Sequence, residues 1–238
     1  MMRNLDYFIS AVKEDRCTEN MVLDLMTEKL EPFVLFRTAS SLKRLSDAIA
    51  SGKCKPGLVV NLQFNKCGNG GVKALANCLR SENRPENITF QLKWNMLYNQ
   101  SVQYIMDALV QGPKTRGVTI NIQGGGDDDD MGCGCTPQDN HLNDKAAIIF
   151  ARGLETMFRQ GNCPLGLSIN FSGTRITNAG ANVILEVLEA ELKSNSQHQI
   201  SIALPGGVEP DLCSRVSGAC QALLNKEATV EMLVFRPH

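Results

Sequence analysis

Val60-Asn-Leu62-Gln-Phe-Asn65-Lys-Cys67, followed by Gly71, Leu75 and Leu79, is the stretch that decides the fold. The pattern returns thirty positions later as Phe90-Gln-Leu92-Lys-Trp-Asn95-Met-Leu97, followed by Ser101, Ile105 and Leu109. Apolar residues first alternate and then recur every three to four positions, which is typical of a strand that leads into an amphipathic helix. A fixed period of this length predicts stacked units of one kind.

Further units continue the series towards the C-terminus. Strands are predicted around Ile120–Ile122, Ile169–Phe171, Ile200–Leu204 and Val230–Phe235. With those at Val60 and Phe90, they predict six parallel strands side by side. No helix is left to cover Val230–Phe235. Either Arg236 and Pro237 prevent this edge strand from pairing with another chain, or the strand pairs with an extended peptide or with a second copy. Pairing with a second copy would give a homodimer through the C-terminal edge strand.

The repeats resemble a known family. Phe64 to Leu79 and Ile169 to Leu188 are similar to the ribonuclease-inhibitor type of leucine-rich repeat, with Asn65 and Asn95 at its asparagine position. Gly125, Thr174 and Gly207 stand at that position in the other units. The resemblance covers roughly residues 56–236 and implies an α/β solenoid. We expect a horseshoe arc with a parallel sheet on its concave face and helices on its convex face.

The first residues lie outside the resemblance. Leu5, Phe8, Ile9 and Val12 recur at helical spacing, and a second helix is predicted over Val22–Leu30. Phe33–Phe36 is predicted as a degenerate first strand, followed by a helix through Leu42, Leu45 and Ile49. We therefore expect one continuous domain: a helical N-terminal cap with the degenerate repeat over 1–55, and the repeats over 56–238 with a loop insertion at 124–141.

Composition narrows the function classes. The formal net charge is −1, so no basic excess marks a surface for nucleic acid or anionic membranes. No apolar stretch has the length of a membrane span, and charged residues interrupt the N-terminal region where a signal peptide would lie. Nine cysteines, several at apolar repeat positions, favour a reducing compartment. The expected location is cytoplasmic, or the cytosol of a host cell into which the protein is delivered.

The concave strand face is the predicted partner-binding surface. Its middle column consists of Asn61, Gln91, Asn121, Asn170, Ala203 and Leu233. The flanking candidates are Gln63, Lys93, Trp94, Gln123 and Ser172. These mostly amide and hydroxyl side chains offer donors and acceptors to a protein partner. The alternative is that stacked amides hydrogen-bond one another and only stabilise the sheet. Trp94 is either an interface hot spot or packing between loops.

The insertion at 124–141 contains four consecutive carboxylates, Asp127–Asp130. Met131 and Gln138 stand where an EF-hand-like loop requires ligands, so a dedicated calcium site is not expected. Zinc would take Cys133, Cys135 and His141. A fourth ligand at Cys163 would lie beyond the following helix, roughly 25–30 Å away from the loop at the usual rise per residue, and is therefore excluded. Cysteine pairing or oxidation within the loop is favoured over a metal site. No metal and no cofactor are predicted.

No P-loop, dinucleotide fingerprint, nucleophile elbow or zinc-protease motif is present. The sequence is therefore interpreted as a non-enzymatic scaffold for protein–protein interaction. Compact size and two dissimilar ends resemble those of small bacterial leucine-rich effectors that act in a host cell. The alternative is a regulator of a small GTPase, since some related repeat proteins accelerate GTP hydrolysis; Lys93, Asn95 or Arg175 would then act on the GTPase.

Overall fold

The computed structural model describes residues 5–26, 35–125, 139–194 and 198–234. These residues form a parallel sheet of six strands and seven α-helices. The strands are β1 Val22–Asp24, β2 Val59–Asn61, β3 Ile88–Gln91, β4 Arg116–Asn121, β5 Leu165–Asn170 and β6 Ile200–Ala203. The helices are α1 Leu5–Lys13, α2 Leu35–Ala50, α3 Gly68–Ala76, α4 Asn99–Gln111, α5 Asp144–Gln160, α6 Asn178–Leu192 and α7 Pro210–Val234. A short 3-10 helix, Asn77–Arg80, extends α3.

The strands lie in the sheet in chain order, from β1 to β6. Their register follows the period of the sequence: Val60 pairs with Phe90, Phe90 with Ile120, and Ile120 with Ile169 across the insertion. Each helix packs against the next helix along the chain. Successive strand–helix units are therefore neighbours in space, as the repeat predicts.

The two faces of the sheet differ in burial. Val60, Phe90 and Ile120 are buried, as are the residues two positions on, Leu62 and Leu92. Helix residues such as Ile105, Leu109, Ile184 and Leu188 complete this core. Burying one such side chain stabilises the folded state by about 1.5–3 kcal/mol relative to leaving it exposed to water. The intervening strand residues point the other way, onto a half-exposed surface that we call the open face.

The N-terminal region confirms one prediction and contradicts another. Helix α1 buries Leu5, Phe8, Ile9 and Val12 as expected. The helix predicted over Val22–Leu30 is wrong at its start, because Val22–Asp24 is strand β1, paired with β2. Leu23 and Leu25 are both buried, which is the two-residue period of a strand. Residues 27–30 lie outside the described part of the chain.

Two further strand predictions are wrong where the structure describes them. Leu35 and Phe36, placed in a degenerate first strand, begin α2 instead. Val230–Val234, placed in the last strand, belong to α7, and Phe235 is not described. No glycine or proline lies between Ala219 and Val234 to end that helix. The edge strands are therefore β1 and β6, and a homodimer through a strand at 230–235 has no strand to use in the described residues.

Candidate protein-binding surface

The open face carries the predicted polar column in register. Asn61, Gln91, Asn121 and Asn170 lie on neighbouring strands, and Ala203 ends the row on β6. Leu233 is not part of it, because that residue lies in α7. Asp24 on β1 heads the row instead, opposite Asn61. Asp24 is not among the predicted site residues, because the apolar spacing over Val22–Leu30 predicts a helix there.

Some of the column's hydrogen-bonding capacity is used within the protein. Nδ2 of Asn61 donates to Oδ1 of Asp24 at 2.9 Å, and Nδ2 of Asn121 donates to Oε1 of Gln91 at 2.8 Å. Oδ1 of Asn170 accepts from the backbone N of Ser172 at 2.8 Å. The equivalent bonds join Asn61 to Gln63 and Asn121 to Gln123. These amides stabilise the sheet while their half-exposed side chains still face solvent.

An aromatic pair stands where β2 and β3 end. The rings of Phe64 and Trp94 lie 4.1 Å apart between centroids, and Nζ of Lys93 lies 4.0 Å from the centre of the Trp94 ring. Both aromatic residues are half-exposed. We call Phe64, Lys93 and Trp94 the aromatic edge. Trp94 is thus packed against the neighbouring loop and accessible to a partner; Phe64 was not among the predicted site residues.

The aromatic edge is held in an unusual backbone conformation. Phe64 and Trp94 have φ values of 61° and 54°, in the left-handed region that costs a residue with a side chain roughly 1–2 kcal/mol. Lys66 and Met96, two residues further on, repeat the conformation at 50° and 56°. Two successive units therefore share one loop geometry, in which Phe64 and Trp94 are half-exposed.

Buried asparagines fix this geometry. Oδ1 of Asn95 accepts from the backbone N atoms of Asn65 at 3.3 Å and Cys67 at 3.1 Å, and its Nδ2 donates to the carbonyls of Leu62 and Lys93. Asn95 is fully buried. The asparagine of one unit thus satisfies backbone groups in the loop of the preceding unit, and these bonds offset the strain.

The third unit contains an asparagine that the pattern did not identify. Oδ1 of Asn140 accepts from the backbone N atoms of Asn95 at 3.0 Å and Leu97 at 3.1 Å. Its Nδ2 donates to the carbonyls of Leu92 and Gln123 at 2.9 Å each. Asn140, not Gly125, therefore occupies the asparagine position. The prediction was wrong because the insertion separates this asparagine from its strand.

The remaining sequence candidates divide by accessibility. Asn95, considered as a contact to a GTPase, is fully buried and its amide is used internally. Arg175 is exposed, and its backbone N donates to the carbonyl of Leu142. His141 stacks on Tyr98, with ring centroids 5.2 Å apart. Asp127–Asp130, Cys133 and Cys135 lie outside the described residues.

Three buried thiols lie in surroundings that keep them protonated. Burial raises the pKa of Cys67, Cys78 and Cys163 to about 12. At neutral pH these side chains are therefore protonated, and the thiolate is the reactive form. Across the described ranges, no three His, Cys, Asp or Glu side chains are grouped so as to hold a metal ion.

Arg84 is a buried cation with a structural role. Its guanidinium donates to the carbonyls of Leu79 and Pro113 and to Oγ1 of Thr115. Burial lowers the pKa of Arg84 to about 10, so it stays charged at neutral pH. It thereby links the turn before β3 to the turn before β4.

None of the helices in the described segments is both long and apolar enough to cross a membrane. No protein-family model and no curated protein matches the sequence. Among solved structures, the chain is similar to leiomodin-1 actin-binding site 2, with a TM-score of 0.53 and 11% sequence identity. The match covers 85% of this chain and 96% of that chain. At this identity the likeness shows a shared fold and no more.

Proposed function

We propose that the chain is a ribonuclease-inhibitor-like leucine-rich-repeat solenoid that binds a protein partner. Support for the repeat family comes from strands paired in chain order at the period of the sequence. It also comes from the buried asparagines Asn65, Asn95 and Asn140, which recur at equivalent positions. The likeness to the leiomodin-1 domain supports the fold.

The single observation that carries the binding proposal is the aromatic edge beside the open face. Phe64 and Trp94 are half-exposed in backbone conformations that cost free energy, with Lys93 over one ring. Strained residues persist where the surrounding structure determines them, and they cluster at functional sites. Tryptophan is also enriched among residues that dominate binding energy. The partner therefore contacts the aromatic edge together with Gln63, Gln91, Asn121 and Asn170.

Actin is the first partner to test, because the similar leiomodin-1 domain is named as an actin-binding site. Co-sedimentation with filamentous actin and a binding titration with monomeric actin cover both assembly states. If either form binds, Trp94→Ala should weaken binding about 30-fold, which corresponds to about 2 kcal/mol for an aromatic hot spot. Tyr7→Ala removes an exposed aromatic side chain on α1 and serves as the control.

Regulation of a small GTPase is the alternative, supported by the exposed Arg175 and by Lys93 near the open face. An arginine supplied by a partner stabilises charge that develops during GTP hydrolysis. GTP turnover is measured for a panel of small GTPases with and without the protein. Acceleration that Arg175→Ala abolishes supports the alternative, and binding without acceleration supports the non-enzymatic scaffold.

A further inference from the structure

Two buried cysteines lie near each other in the first two strand–helix units. Cys17 lies between α1 and β1, and Cys54 lies between α2 and β2. Each is 7% exposed, and the Cys54 thiol lies close enough to Cys17 to oppose the rise in its pKa that burial causes. The pairing of Val22 with Val59, continued five residues towards the N-terminus, places Cys17 opposite Cys54. The backbone hydrogen bond from Asn20 to Pro56 continues this register beyond the strands, and the two thiols lie near each other at its end.

The two segments are also held together on both sides of the thiols. Nζ of Lys53 donates to the carbonyl of Lys13 at 2.8 Å. The backbone N of Asn20 donates to the carbonyl of Pro56 at 2.9 Å. The cysteines therefore lie in two turns that these hydrogen bonds hold side by side, and a disulfide requires such proximity.

We propose that Cys17 and Cys54 form an intramolecular disulfide when the protein meets a two-electron oxidant such as hydrogen peroxide. The thiolate of Cys17 attacks one peroxide oxygen, the O–O bond breaks, and a sulfenic acid and hydroxide form. The thiolate of Cys54 then attacks that sulfur; the S–S bond forms, the S–O bond breaks and hydroxide leaves. The two protons lost by the thiols convert both hydroxides to water, so one peroxide is reduced to two waters.

The environment sets the order and the pH dependence of these steps. Burial raises the pKa of Cys17 and raises that of Cys54 to about 12. Only a small fraction of either thiol is ionised at neutral pH, so linkage accelerates as the pH rises. Cys17 is the first nucleophile because the neighbouring Cys54 thiol, with the cations Lys55 and Arg16, lowers its pKa against the effects of burial and Asp15, whereas Cys17 raises the pKa of Cys54. The groups that face the pair are Asp15, Arg16, Lys55 and Cys78.

The bond would join the N-terminal unit covalently to the second unit and close a loop from residue 17 to residue 54. Cross-links that close loops of this size stabilise the folded state, chiefly through the unfolded chain. The oxidised protein should therefore unfold about 5–10 °C above the reduced protein. Oxidation then strengthens the end of the sheet at β1.

The test uses the full chain, first reduced, then treated with hydrogen peroxide at pH 7 and pH 9 and quenched with iodoacetamide. Peptide mapping without reductant should find a Cys17–Cys54 cross-link, two hydrogens lighter than the separate peptides and formed faster at pH 9. Dithiothreitol should remove both the cross-link and the rise in melting temperature. Cys78→Ser should retain both, whereas Cys17→Ser and Cys54→Ser should each lose both.

Three results would overturn the proposal. One is a cross-link from Cys54 to Cys78, since these thiols also lie near each other. Another is oxidation of Cys17 to a sulfinic acid with Cys54 still alkylated. The third is recovery of both cysteines as free thiols after the oxidant has been consumed by other cysteines.

Discussion

Asn95 gives the strongest example of one residue fixing a loop. Its carboxamide makes hydrogen bonds with Asn65, Cys67, Leu62 and Lys93 while fully buried. Alanine at this position would leave backbone donors and acceptors unsatisfied away from water, which costs more than the loss of a solvent-exposed bond. The left-handed conformations of Phe64 and Lys66 would lose their support.

We predict that Asn95→Ala lowers the free energy of unfolding by about 3 kcal/mol and the melting temperature by about 5–10 °C. Asn77→Ala, on the exposed side of the short 3-10 helix, should change the free energy of unfolding by less than about 0.5 kcal/mol. Denaturant titration of both variants measures the difference. Equal free energies of unfolding for the two variants would mean that the buried Asn95 carboxamide does not stabilise the loop.

Asn140 shows what a fixed spacing cannot predict. Leu92 and Asn95 are three positions apart, whereas Ile122 and Asn140 are eighteen apart, although the asparagines make equivalent bonds. A periodic pattern assigns roles by counting, and the insertion interrupts the count. The role is recovered only through hydrogen bonds to the neighbouring unit.

We predict that Asn140→Ala is as destabilising as Asn95→Ala, by about 3 kcal/mol, because its carboxamide forms hydrogen bonds with backbone groups of the β3 unit and of its own unit. Thermal melts of the two variants side by side measure this. A cost close to that of Asn77→Ala would mean that the Asn140 carboxamide does not stabilise the loop.

At the scale of elements, the periodic segments in the middle of the chain follow the sequence prediction, whereas those that begin at Val22, Leu35 and Val230 do not. The strands at Val60, Phe90, Ile120 and Ile169 each repeat a strong alternation, and all pair as expected. β1 has only three residues, too few to separate a strand period from a helical one. What makes this segment a strand is its backbone pairing with β2, which lies 37 residues further along the chain. α7 was shortened in the prediction because its final apolar run also fits a strand.

β1 provides a test at this scale. In a strand, Leu23 points into the core and Val22 towards the open face, which agrees with their burial. We predict that Leu23→Ala lowers the free energy of unfolding by about 2–5 kcal/mol and Val22→Ala by about 1 kcal/mol or less. Unfolding both variants in guanidinium chloride measures the two free energies. Equal costs would argue against the alternating geometry.

At the scale of the molecule, the described core runs as one contiguous cluster from α1 to α7. Adjacent units share buried surface, so each stabilises its neighbours. We therefore predict that Trp94 fluorescence and far-ultraviolet circular dichroism give the same unfolding midpoint, since the only tryptophan reports one unit and the dichroism reports all helices. A separate, earlier fluorescence transition would indicate that the β3 unit unfolds independently.

The candidate site was predictable in outline. Register alone placed Asn61, Gln91, Asn121 and Asn170 in one row, because a parallel sheet built from equal units aligns equivalent residues. The aromatic edge was only half predicted. Trp94 was identified as a rare residue, but its contact with Phe64 depends on left-handed backbone that sequence periodicity does not encode.

The central claim is that a partner binds the open face, and quantitative affinity capture from candidate lysates tests it most directly. The wild type is compared with two matched variants. One carries Asn61→Arg, Gln91→Arg and Asn121→Arg; the other carries Asn77→Arg, Gln160→Arg and Gln221→Arg, exposed residues outside the sheet. Both variants add the same charge, and circular dichroism checks that both fold. Partners retained by the wild type should fall at least about 10-fold with the first variant and persist with the second. Retention of the same proteins by all three would contradict a partner-binding open face.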